Sequence, residues 1–183
     1  MFDYSRHTKI RRVVTGCTPG GKSVIVSDTE INPLTIAFAP GIEFYKIWGA
    51  DSVPMLPDDG PAHQNYNYFP PAGGYRFGLF TVPPQSTIQA EPEDMESALQ
   101  EAEKKLPGLI EHMESDNPGM HITDSIDLVC IISGEIWLEL DDNKMVHLCT
   151  GDTIVQNGTR HAWRNKSAEP CCILACIIGT QRL

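Results

Sequence analysis

The sequence predicts an all-β domain, a barrel or sandwich of short antiparallel strands, with an N-terminal hairpin and a helical insertion. Three observations carry that expectation. From Asp116 onward, short apolar runs are broken every eight to ten residues by turn signals at Ser133-Gly134-Glu135, Asp141-Asp142-Asn143 and Thr150-Gly151-Asp152, the spacing of a meander that closes on itself. In Ile136 to Leu140, Trp137 and Glu139 fall on one face and Ile136, Leu138 and Leu140 on the other, the alternation of a half-buried strand. Helical periodicity is confined to residues 92–115.

Taken in order, the first element is the stretch GCTPGGKS at residues 16–23, which fits the spacing of a phosphate loop. Such a loop needs a helix behind it, because helix N–H groups cradle the phosphates. Here the chain continues instead with Val24-Ile25-Val26, β-branched throughout, and then Pro33. With Arg12 to Thr15 ahead of it, the segment reads as two strands joined by a Thr-Pro-Gly-Gly turn. No nucleotide is therefore expected. Strands are next expected at Phe44 to Trp48 and Tyr75 to Val82, separated by Pro- and Gly-rich loops. Met95, Ala98, Leu99, Ala102, Leu106, Leu109, Ile110 and Met113 then recur at threes and fours, with Pro107 expected to kink or split the helix. This stripe reads as a packing face.

The 183 residues make one domain of ordinary size. Within it, residues 1–84 form a β extension contributing strands to the barrel, 85–118 a helical insertion with its loop, and 119–183 the closing strands. A net charge of −10 repels phosphate backbones and anionic membranes, so the expected partner is a small organic substrate. No apolar run approaches about 18 residues and no secretory signal opens the chain, so a cytoplasmic protein is expected. The six cysteines lack zinc-ligand spacing and read as buried small hydrophobes. His7, His63, His112 and His147 have no partners at ligand spacing and receive no role.

Residues 119–179 resemble the cupin superfamily of small β-barrels. In the first cupin motif, His121 fits the first histidine, Thr123 stands at the second histidine, Asp127 at the glutamate and Gly134 at the glycine. In the second motif, Gly151-Asp152, Gly158, His161 and Asn165 fit, with Gln156 in place of the usual proline. More narrowly, the His-x-Thr-Asp-x-Ile-Asp pattern is similar to a cupin subgroup found in fungal polyketide and aromatic-compound pathways. The resemblance implies a double-stranded β-helix, a homodimer and an enzyme of specialised metabolism, although fold transfers better than reaction.

His121, Thr123 and Asp127 share parity and so face the same way, which the resemblance says is into the barrel, where His161 joins them. Two imidazoles and a carboxylate can hold iron, zinc, manganese or nickel. They can equally serve as an acid–base pair without metal. Trp163 and Asn165 share the parity of His161 and, with Thr123, are the expected substrate contacts. The chemistry stays open between a metal-dependent oxidoreductase or oxygenase and a lyase or isomerase acting by proton transfer. A ligand-binding or structural cupin without turnover is the alternative, since a buried histidine is often only a satisfied core group.

Overall fold

The computed structural model describes residues 10–56, 66–87 and 92–183; His7 and His63 lie outside them. The phosphate-loop stretch is a hairpin. Strand β1 (Ile10–Cys17) pairs antiparallel with β2 (Ser23–Ile31). Their turn is closed by Thr18 N–H on the Lys22 carbonyl and Gly21 N–H on the Thr18 carbonyl.

Eight further strands form two sheets. The larger has the order β3 (Glu43–Ala50), β4 (Tyr75–Val82), β10 (Cys171–Gly179), β5 (Ser125–Ser133), β8 (Thr153–Asn157). The smaller has the order β7 (Met145–Cys149), β6 (Glu135–Glu139), β9 (Ala162–Arg164). Every pairing is antiparallel. The sheets share one core, in which Val129, Ile131, Ile173 and Ile177 from the larger meet Ile136, Leu138 and Leu148 from the smaller. Gly134, at the β5–β6 turn, has φ +78°, and a Cβ there would lie 2.6 Å from the Pro170 carbonyl oxygen. Only glycine satisfies both conditions.

The helical periodicity resolves into α1 (Met95–Lys105) and a 3-10 turn at Ile110–His112, on either side of Pro107. Asp94 caps α1 by accepting the Ser97 N–H at 3.0 Å. Ala98, Ala102, Leu106 and Leu109 are buried, and the last three pack with Ile36 and Phe44 in a second core. Met95, expected in the stripe, is instead exposed, one turn too early to reach that core. The cysteines also need correction, because Cys17 and Cys149 are exposed. Both sit at strand ends, on the face turned away from the core. Among the described residues no helix is long and apolar enough to cross a membrane.

Candidate active site

The segment His121-Ile-Thr-Asp-Ser-Ile-Asp127 feeds β5 and places a polar residue at every second position. Thr123, Ser125 and Asp127 are all buried, whereas Ile126 and Leu128 are exposed on the outer face. The hydroxyls and the carboxyl connect in a line: Thr123 Oγ1 lies 2.8 Å from Ser125 Oγ, which donates to Asp127 Oδ1 at 2.7 Å.

His121 is tied to His161 through the backbone. Each N–H donates to the other's carbonyl, at 3.0 and 2.9 Å. This closely bonded antiparallel pair puts both side chains on one face, and the imidazole centroids are 4.3 Å apart. Both residues are buried. His121 Nδ1 lies 3.0 Å from the Gly119 carbonyl and His161 Nδ1 2.9 Å from the Thr159 carbonyl. A carbonyl only accepts, so in each ring the proton sits on Nδ1 and the Nε2 lone pair is left for other work. Gln156, in the usual proline's place, is buried and hydrogen-bonds Thr159, so it braces the residue that orients His161.

Burial shapes the protonation of the site. His121 is pulled down to about 4, mainly by desolvation and then by the neighbouring His161. Desolvation also lowers His161, with the Thr159 hydrogen bond working against it. Desolvation pushes Asp127 up to about 6, and the Ser125 hydroxyl offsets part of that. At neutral pH both imidazoles are therefore bases, and Asp127 retains a fraction of its proton.

The walls are aromatic. Trp163 meets His161 edge-on at 5.9 Å and Phe80 at 6.4 Å. Phe69 lies against both His121 and His112. A small cavity of about 30 Å³ lies against β3, β4 and β10, lined in part by Lys46, Tyr66, Tyr68, Phe80 and Ile177 and by none of His121, Thr123, Asp127, His161 or Trp163. Ile177 is the cross-strand partner of Asp127, and burial followed by the charge of Asp127 raises the Tyr68 phenol. These two residues connect the cavity to the carboxyl.

Several expectations change. Asn165 is fully buried and spends its amide on the Val82 and Glu169 carbonyls, while its oxygen accepts from the N–H and hydroxyl of Ser167. It braces a loop and has no free group for a substrate. His161, Asp127 and His121 remain the candidate catalytic groups, with the tautomer of each imidazole held by a backbone carbonyl. As a metal centre, His121, Asp127 and His161 fit poorly. Among the described residues, the group of three donors whose ligand atoms all lie within 4.8 Å of one another is Glu135, His147 and Cys149, and the barrel trio is not such a group. Ser125 and His112 were missed. His112 also places Nδ1 on a carbonyl, that of Gly108 at 2.9 Å, and its proximity helps lower His121.

Two antiparallel sheets around one core, with both motif histidines meeting inside, decide the architecture. The chain closes two antiparallel sheets on one core, the arrangement that the cupin resemblance leads one to expect. No protein-family profile matches it. Among curated proteins it is similar to Phomopsin biosynthesis cluster protein C' of Diaporthe leptostromiformis, 50% identical over 48 residues, which is 26% of this chain and 25% of that protein. It is also similar to Oryzines biosynthesis cluster protein J of Aspergillus oryzae, 40% identical over 50 residues, 27% of this chain and 28% of that one. The match thus spans about a quarter of the length of these relatives. Among solved structures, the polyketide cyclase RemF from Streptomyces resistomycificus aligns with a TM-score of 0.44 at 13% identity, over 80% of this chain and 72% of that one. The Cnp3 cupin domain of Schizosaccharomyces pombe aligns at 0.43 and 9% identity, over 94% and 88%.

Proposed function

We propose that this protein is a cupin enzyme of specialised metabolism that moves a proton on a small carbonyl compound held in the barrel, as a lyase or isomerase. The observation that carries the reading is the pair of imidazoles whose Nδ1 atoms are occupied by the Thr159 and Gly119 carbonyls. A neutral ring with Nε2 bare and its orientation fixed is a general base. His161 takes the proton, with His121 beside it as the second acceptor. Asp127, raised toward neutrality, supplies a proton from its protonated form, donating to Ser125 Oγ and on through Thr123 once the hydroxyl hydrogens, which in the ionised state point toward Asp127, have rotated the other way. Thr123 and Trp163 face the substrate. The biosynthetic-cluster relatives support the pathway class.

Lys46 supports an acidic or enolisable substrate. It lines the cavity 5.1 Å from the Tyr66 ring and has no ion-pair partner among the described residues. Burial and the nearby Arg76 lower its pKa. An ammonium in that position is relieved by an incoming carboxylate or enolate.

The test begins with deletion of the gene in its producing host and isolation of the intermediate that accumulates. Purified protein in chelator and deuterium oxide should convert this intermediate with deuterium incorporation at carbon. His161→Gln should lower kcat by about 10²- to 10⁴-fold with a near-native melting temperature. Conversion that consumes oxygen, or that stops in chelator, would replace proton transfer by the oxidoreductase. Binding of the intermediate without conversion would make the protein a carrier.

A further inference from the structure

A second constellation of chemistry lies outside the barrel. In the β6–β7 hairpin, Glu135 pairs with Cys149, Trp137 with His147 and Ile136 with Leu148. Ile136 and Leu148 point into the core. The alternation of a strand therefore puts Glu135, Trp137, His147 and Cys149 together on the outer face. The His147 ring is stacked on Trp137 with centroids 4.3 Å apart and planes 14° from parallel, which fixes its direction. Its Nε2 lies 2.7 Å from Glu135 Oε2 and 3.7 Å from Cys149 Sγ. The backbone is pinned as well, with Asp152 Oδ2 accepting the Cys149 N–H at 2.8 Å and Thr150 N–H on the Gly134 carbonyl at 3.1 Å.

A thiol, an imidazole and a carboxylate suggest either a nucleophile relay or a cation site, and the geometry chooses between them. A relay passes a proton through the ring, so the thiol and the carboxylate must sit on opposite nitrogens. Here both sit on Nε2. Three donors converging on one point, one each of nitrogen, sulfur and oxygen, suit a cation bound between them.

We propose that Glu135, His147 and Cys149 bind a zinc-class divalent cation on the outer face of this hairpin, separately from the barrel interior. Tetrahedral bonds of about 2.0–2.3 Å place such donors about 3.3–3.6 Å apart. The present His147–Cys149 separation is close to that, and the flexible Glu135 carboxylate withdraws from Nε2 by about 0.6 Å to admit the ion. The thiolate and carboxylate neutralise the two positive charges, and a water molecule completes the tetrahedron. Binding displaces the thiol proton, so affinity falls as pH falls.

The experiment titrates chelator-stripped protein, in a Cys17→Ser background, with cobalt(II) as an optical substitute for zinc. One equivalent should produce a near-ultraviolet thiolate-to-cobalt charge-transfer band, and zinc should displace it. Cys149→Ser should abolish the band, and His147→Gln should weaken binding by about 10- to 100-fold or more. A His121→Gln/His161→Gln double variant should keep the band, which separates this site from anything bound in the barrel. Zinc should also slow modification of Cys149 by a thiol reagent. These strand residues face solvent, so the substitutions should leave the fold intact. Absence of the band, its persistence in Cys149→Ser, or unchanged thiol reactivity under zinc would overturn the proposal.

Discussion

Replacing Asp127 by Asn separates two titrations that oppose each other in the native protein. His121 titrates at about 4 in the fold against an ordinary 6.5. Between those values the unfolded chain binds more protons than the folded one, so this group makes stability rise with pH. Asp127 titrates at about 6 against 3.8. Across nearly the same window the folded protein holds the extra proton, and stability falls as pH rises. A pKa difference of one between folded and unfolded chain corresponds to about 1.4 kcal/mol, so the two contributions are about 3 kcal/mol each and largely offset one another. Asp127→Asn keeps an acceptor for the Ser125 hydroxyl and deletes only one of them. Relative to wild type it should gain about 3 kcal/mol at pH 7 and almost nothing near pH 4. Urea unfolding of both proteins in chelator at several pH values measures this, with the other carboxylates cancelling in the difference. A pH-independent difference, or a loss of stability at pH 7, would refute the buried-carboxyl reasoning.

The same geometry sets three other outcomes. Ser125→Ala should destabilise by about 1–3 kcal/mol and slow turnover, because it leaves Thr123 and Asp127 both buried without their shared partner; equal stability to wild type would break the relay. Asn165→Ala should lower the melting temperature by a similar cause while leaving kcat near wild type, and a kcat loss without destabilisation would restore it as a substrate contact. Lys22→Ala should shift unfolding free energy by no more than about 0.5 kcal/mol, and nucleotide binding that this change removes would contradict the hairpin.

How much was legible depended on how local each cause is. The hairpin, the strand Tyr75–Val82 and the helix broken at Pro107 arise from β-branching, turn residues and periodicity within a few positions, and each is where the sequence puts it. That Thr123 and Asp127 share a face comes from parity, and that the face is inward came from the family resemblance. Ser125 had the same signal, a third polar residue in step, and could have been read from it. Asn165 could not, since its partners Val82 and Glu169 meet it only after the chain returns across the barrel. The Glu135–His147–Cys149 group was hidden for a related reason. Zinc spacing rules look along the chain, whereas these donors are brought together across an antiparallel register.

The two core histidines each take their orientation from a carbonyl two residues upstream, Gly119 for His121 and Thr159 for His161. Each tripeptide thus carries its own instructions for which nitrogen is bare. The remaining walls of the barrel are free of that task. Substitutions at Lys46, Tyr68 or Phe80 can reshape the cavity they line while the two rings keep their orientation. The fold thus keeps what sets the two rings apart from what shapes the space beside them.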